Sequence, residues 1–149
     1  MLLILAAGAG AFTFKLHRDA EHRAAQRAAA ARHAAAEAQR AATKRAAAVA
    51  KRIETAQQIA ARHASEREME TSITTWARKQ VSSGLLNGPI LRTSCTPIGG
   101  GSQNLAEITV KYDCLAVDKD NTDGTSDGYG VHATMDFSTG QYQWGLGNG

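Results

Sequence analysis

Apolar and polar positions change rhythm several times along the chain. Residues 1–14, MLLILAAGAGAFTF, are uncharged and almost wholly apolar. Ala24, Ala28, Ala31, Ala35, Ala38 and Ala42 then recur at 4-3-4-3-4 spacing, and Ala46, Val49, Ile53, Ala56 and Ala60 resume the pattern after one shift. This is a heptad-like helical stripe whose knobs are mostly methyl-sized. Met69, Ile73, Trp76, Ala77 and Val81 form a bulkier stripe on a second amphipathic stretch. Beyond the turn Asn87-Gly88-Pro89 the period falls to two. The strand-like runs are Ile90–Thr96, Glu107–Val117, Tyr129–Phe137 and Gln141–Gly145. Ile108, Val110, Tyr112 and Cys114 share one face of the second run, and Val131, Ala133, Met135 and Phe137 one face of the third. The pattern predicts an α+β fold, a helix packed on a four-stranded antiparallel meander. Trp76 is the expected centre of that packing, with Ile73, Tyr112, Phe137 and Trp144 completing the core.

Helix signals sharpen the boundaries. No Gly or Pro lies between Ala11 and Ser83, and alanine has the highest helix propensity, with Arg, Gln, Glu and Lys close behind. If 17–64 is all helical it is ~70 Å long. Ser65-Glu66-Arg67-Glu68 reads as a capping box, with Glu66, Glu68 and Glu70 near a helix start. Arg78 and Lys79 suit the last turns, and Gly84 suits a left-handed cap with Leu85 and Leu86 folding back. A separate helix of about 17 residues is therefore expected from Ser65, either kinked from the arm or continuous with it. The expected organisation is an anchor at 1–16, a helical stalk at 17–64 and an α+β domain at 65–149.

Fourteen helical residues span ~21 Å, short of the ~30 Å hydrocarbon core of a bilayer. Leu16 extends the run if Lys15 snorkels to the headgroups, and a start upstream of Met1 would complete a membrane anchor. A cleaved signal peptide competes, with Ala6-Ala7-Gly8-Ala9-Gly10-Ala11 as cleavage region, but a basic n-region is missing. A buried soluble segment is the third reading. A pilin-like helix is disfavoured, because Leu16 replaces the expected glutamate and Lys15 and Arg18 would enter the assembling face. Lys15, Arg18, Arg23 and Arg27 would favour a cytoplasmic flank, whereas the two cysteines favour the extracytoplasmic side, which is the orientation expected here.

Charge separates the two parts. Residues 15–64 carry eleven Lys+Arg against four Asp+Glu, and residues 65–149 carry six against ten. The basic arm suits a spacer or a self-associating stalk, making a homo-oligomer through the Ala-rich helix one expected partnership. Arginines beside an apolar anchor also attract anionic headgroups, at about 1 kcal/mol each. Nucleic-acid binding is disfavoured, since the arm has no aromatic residue for stacking and its arginines are spread around the helix. His17, His22, His33 and His63 read as solvated arm residues, and His17 and His22 are off the i,i+4 spacing of a helical metal pair.

Cys95 and Cys114 fall on consecutive strands, so neighbouring strands would bring them into a disulfide. There is no CxxC motif. Asp118-Lys119-Asp120-Asn121-Thr122-Asp123-Gly124 fails the EF-hand pattern, with Asp123 where glycine is required and Tyr129 where glutamate is required. Asp118, Asp120, Asp123 and Asp127 are weak calcium candidates, and a solvated acidic loop is the plainer reading. His132 should face away from Val131 and Met135, and Asp113 and Asp136 read as surface charges. No nucleophile elbow or paired-carboxylate motif is present. No catalytic residue and no cofactor are expected.

Leu86-Asn87-Gly88-Pro89-Ile90-Leu91-Arg92-Thr93-Ser94-Cys95-Thr96-Pro97, then Tyr112-Asp113-Cys114-Leu115-Ala116-Val117, then Met135-Asp136-Phe137 through Tyr142-Gln143-Trp144, resemble a C-terminal module of uncharacterised membrane-anchored actinobacterial proteins. The resemblance covers about the last 85 residues. It implies an extracytoplasmic α+β module and carries no catalytic residues. In that pattern a cysteine often follows the tryptophan, whereas Gly145 follows Trp144 here, which excludes a second bridge. The layout of helix and curved sheet also resembles cystatin-like folds, which can line a pocket between helix and sheet. The expected function is a membrane-tethered interaction or structural module with an unidentified protein partner. Small-ligand binding or enzymatic activity, and lipid or nucleic-acid binding through the arm, are the alternatives.

Overall fold

A computed structural model describes residues 5–147, with side chains from residue 17 onward. One helix, α1 (Leu5–Ser82), is followed by strands β1 (Arg92–Ile98), β2 (Thr109–Asp120), β3 (Ser126–Asp136) and β4 (Gln141–Leu146), with a 3₁₀ turn, η1 (Gly101–Gln103), between β1 and β2. The sheet order is β1-β2-β3-β4 and every pairing is antiparallel, a meander. The α+β expectation therefore holds. The chain forms two compact units, Met1–Arg52 and Ile53–Gly149.

In the first unit every side chain described is exposed. Alanine-rich helix needs no partner surface to satisfy its backbone, and methyl groups leave little apolar area to bury. The apolar segment 1–16 lies outside the described side chains, and its first four residues outside the described backbone. No helix among the described residues is long and apolar enough to cross a membrane.

In the second unit α1 runs through Ser65 without a break. The Ser65 hydroxyl donates to the Ala61 carbonyl (3.4 Å), one turn back inside the helix, so it caps nothing. With no Gly or Pro nearby, nothing obliges the backbone to stop there, and the helical hydrogen bonds outcompete the capping box. The far end behaves as its residues predict. Gly84 takes φ +75°, its N–H bonds the Val81 carbonyl (3.0 Å) and the Leu85 N–H bonds that of Gln80 (2.9 Å). These two bonds make a Schellman cap. Leu86 folds back onto the cluster of Ala77, Ile90 and Ala116, but Leu85 is 73% exposed, correcting half of the expected contact.

The helix lies on the sheet through Met69, Ile73 and Ala77, each fully buried. Met69 and Ile73 pack with Val110, Tyr112, Cys114, Val131, Ala133 and Met135, the inward faces of β2 and β3. Ile108, expected on that face, is 56% exposed, because it precedes the paired part of β2. A second cluster joins Ala77, Ile90 and Ala116, flanked by Trp76, Val81, Leu86 and Tyr129. Trp76 is thus at the margin of the core, its ring 4.8 Å from that of Trp144. Ile73 and Met69 hold the centre instead. The middle of a helix–sheet interface admits only side chains that fit between backbones about 10 Å apart, and an indole is better accommodated at the edge. Phe137 and Trp144 are half-buried against the main cluster.

Candidate functional site

The disulfide expected from strand adjacency is present, Cys95 to Cys114. The two residues are directly opposed in the β1–β2 register. The Cys95 N–H points away from β2 and donates to Glu70 Oε1 on α1 (2.9 Å). The pair therefore occupies a non-hydrogen-bonded position of the ladder, where opposing side chains approach most closely. One glutamate thereby satisfies an edge-strand donor and ties β1 to the helix.

Beside that bridge, α1 presents His63, Glu66 and Glu70 along one face, spaced i, i+3, i+7. Glu66 is the hub. Tyr112 Oη donates to its Oε1 (2.6 Å) and His63 Nδ1 to its Oε2 (2.9 Å). Gln103 Nε2 donates to His63 Nε2 (3.0 Å), which leaves the imidazole hydrogen on Nδ1, facing the carboxylate. Burial by itself would raise the Glu66 carboxyl, but Ser102, Tyr112 and His63 together outweigh it and hold the group below its ordinary value. Burial and the bond to Glu66 push the Tyr112 phenol well above its ordinary value. Ser102, on η1, is 3% exposed and its hydroxyl has no hydrogen-bond partner. It lies beside the Glu66 carboxylate and favours its charged form. These groups surround an open cleft of about 300 Å³ whose apolar wall is Pro97 and the Cys95 side chain. Gly101, at φ +55°, makes the floor possible, since a Cβ there would meet the Pro97 ring at 2.7 Å.

Arg62 braces the same corner. It donates to the carbonyls of Asn104 (2.9 Å) and Leu105 (3.1 Å), and its guanidinium lies 4.4 Å from the centre of the Phe137 ring. These contacts draw residues ahead of Ser65 into the compact unit. His63, expected to be a solvated arm residue, is half-buried and hydrogen-bonded within it.

The carboxylates of the acidic hairpin are engaged within the turn and with β1. Asp120 binds Arg92 through two contacts (2.6 and 2.7 Å), and that guanidinium, followed by Ser126, pulls its carboxyl down to about 2. Asp123 accepts from the Thr125 N–H (3.0 Å) and hydroxyl (2.7 Å), and Asp127 accepts from Asn121 Nδ2 (3.2 Å). Asp118 precedes this hairpin on β2. Among the described residues no three His, Cys, Asp or Glu side chains gather to hold a metal, so the calcium candidates Asp118, Asp120, Asp123 and Asp127 are set aside. The carboxylates serve turn geometry and one surface ion pair. Asp136 does the same at the β3–β4 turn, accepting from the Ser138 hydroxyl (2.6 Å) and N–H (2.8 Å). His132 is exposed, as its place on β3 predicts.

The Glu66 network makes a pH-dependent contribution with a definite sign. A carboxyl held below its unfolded value stabilises fully above that value, 4.5, and the contribution is lost as pH falls through the folded value. Glu66→Ala should cost about 2 kcal/mol near neutral pH by leaving the Tyr112 hydroxyl unpaired. Chemical denaturation of wild type and variant from about pH 6 down to about pH 3 should show their stabilities converging. A constant gap would contradict the assigned hub.

Comparison with protein-family models, with curated proteins and with solved structures finds no match. The chemistry of the cleft is therefore read from its own residues. It is rich in acceptors and borders the only disulfide of the chain.

Proposed function

We propose that this chain is a membrane-tethered, non-enzymatic interaction or structural module whose C-terminal domain works outside the cytoplasm. The Cys95–Cys114 bridge is the observation that carries this reading, because structural disulfides persist in oxidising compartments and are rare where thiols are kept reduced. The apolar run at 1–16 supports the tether. The basic exposed helix that follows suits a spacer whose arginines lie against anionic headgroups. Val49 and Ile53, each 54% exposed, stand in the alanine stripe as contacts for a coiled-coil homo-oligomer.

Protease protection on intact cells, combined with thiol alkylation before lysis, tests the assignment. The expected result is a membrane-fraction protein, digested by external protease once the outer layers are permeable, in which neither Cys95 nor Cys114 reacts until a reductant is added. Alkylation of both sulfurs in freshly isolated native material, or recovery of the chain as a free cytosolic protein, would overturn it.

A second reading is favoured by one observation. A cystatin-like domain would place a ligand between helix and sheet, and that space is filled by Met69, Ile73, Tyr112 and Met135. The cleft beside β1 and η1 is open, however, and a small ligand would bind there.

A further inference from the structure

We propose that the outer edge of β4 takes an added antiparallel strand, an extended segment of a partner polypeptide with apolar residues at alternate positions and basic residues at its flanks. The proposal rests on the interaction-module reading and names the kind of partner. The ladder decides which way the backbone of β4 faces. The Gly147 N–H donates to the Gly130 carbonyl (3.0 Å), one step beyond the Val131–Leu146 pair of the β3–β4 register. Bonding alternates along an antiparallel pair. Gln143 and Gly145 therefore bond β3, and Tyr142, Trp144 and Leu146 turn their N–H and C=O groups to the open edge. Among the described residues no side chain or loop bonds those groups.

The two edges of the sheet differ. On β1 the same alternation turns Cys95 and Pro97 outward. The Cys95 N–H is taken by Glu70, and Pro97 has no N–H to offer. Arg92 adds a charge to the same strand. Proline, charge and covering groups are the devices by which folds guard an edge. Gln141–Leu146 has no proline and no charged residue, and its register with β3 runs without a bulge. An edge so regular and unguarded is a template for another strand.

Side chains and charge choose the occupant. Leu146 is 52% exposed and Tyr142 and Trp144 are half-buried, all on the helix side of the sheet. Alternate apolar residues of an added strand would cover them. Residues 65–149 hold six Lys+Arg against ten Asp+Glu, which favours basic flanks. A second copy fits less well. Pairing β4 with its own copy about a two-fold axis would run the two α1 helices in opposite directions, whereas chains tethered in one membrane enter it from one side. The 6 residues of β4 also offer less than the ~800 Å² per partner of a stable dimer.

The full chain in dodecyl maltoside, labelled with ¹⁵N, provides the test. The probe is acetyl-Lys-Val-Thr-Val-Thr-Val-Lys-amide. Titration should shift the Tyr142, Trp144 and Leu146 amides saturably and leave Cys95, on the other edge, in place. Hydrogen exchange at the three β4 amides should slow about tenfold or more. N-methylation of the central valine, whose N–H would bond β4, should abolish binding. N-methylation of a threonine, whose N–H points away, should leave affinity within about twofold. Glutamates in place of both lysines should weaken binding about threefold. Leu146→Pro removes an outward donor while keeping the β3 ladder, and should weaken binding about fivefold. Non-saturating shifts, or indifference to N-methylation of the central valine or to Leu146→Pro, would overturn the strand addition. Equal binding of the glutamate-flanked peptide would overturn the basic flanks. Protection of the same amides without peptide, rising with protein concentration, would assign the edge to a second copy and overturn the partner part. Peptide binding and protease protection are separate readouts, so either can fail without the other.

Discussion

Replacing Cys95 and Cys114 together by alanine should lower the stability of the C-terminal unit by about 3 kcal/mol, the loop-closure entropy of a bridge across some twenty residues. A domain of this size has about 5–15 kcal/mol in total, so the loss corresponds to a fall in Tm of roughly 12–24 °C. Calorimetry of wild type with and without a reductant, and of the double variant, checks it. The reduced wild type should match the double variant within about 1 kcal/mol, since Cys114 is 5% exposed and the loss of sulfur volume is small. The bridge lies next to the bond from the Cys95 N–H to Glu70, so local loosening should appear first where β1 meets α1. Faster amide exchange at Cys95 than at Val131 after reduction would show it. A change in Tm of only a few degrees would mean that packing alone holds β1 to β2.

Ile73→Ala should cost about 3 kcal/mol, within the range of buried Ile→Ala substitutions. Ile73 is fully buried between the helix and the β2–β3 face, and the rigid sheet beneath it cannot collapse into the space left. Ile53→Ala removes the same atoms from a side chain 54% exposed in the described structure and should stay within about 0.5 kcal/mol. Urea denaturation of the two variants compares identical chemistry in two environments. If Ile53→Ala proved as costly as Ile73→Ala, and its cost rose with protein concentration, the stripe containing Val49 and Ile53 would be an interface between copies. A small effect of Ile73→Ala would place the centre of the core elsewhere, with Trp76 the leading alternative.

Much of this architecture was legible in periodicity. The change from a helical period to alternation at Pro89, the alternating buried positions of β2 and β3, and the turn at Ser138-Thr139-Gly140 specify a helix followed by a meander. A one-residue slip would turn Val110, Tyr112 and Cys114 out to water. The same parity places Cys95 opposite Cys114. The Gly84 cap was equally legible, because few residues other than glycine accept a positive φ at a helix end. The pattern was less informative wherever a local signal competed with context. Ser65-Glu66-Arg67-Glu68 has the chemistry of a helix start, yet the flanking residues favour helix on both sides, so α1 continues. Asp118 to Asp127 has the composition of a calcium loop, yet hairpin geometry turns its carboxylates toward Arg92, Thr125 and Asn121.

What the sequence determined by itself is therefore the element order, the face of each strand that is buried, and the pairing of the two cysteines, all consequences of local period and chain direction. Tertiary structure alone decided that Glu66 would accept from Tyr112, and that Ser102 would be buried beside the same carboxylate. Tyr112 and Ser102 lie 46 and 36 positions from Glu66 in the chain. Hydrogen bonds between such distant positions depend on how the helix is rotated and seated on the sheet, which no local propensity records. The same seating sent Ile73 to the centre and Trp76 to the edge, because space between two packed layers is a property of the pair.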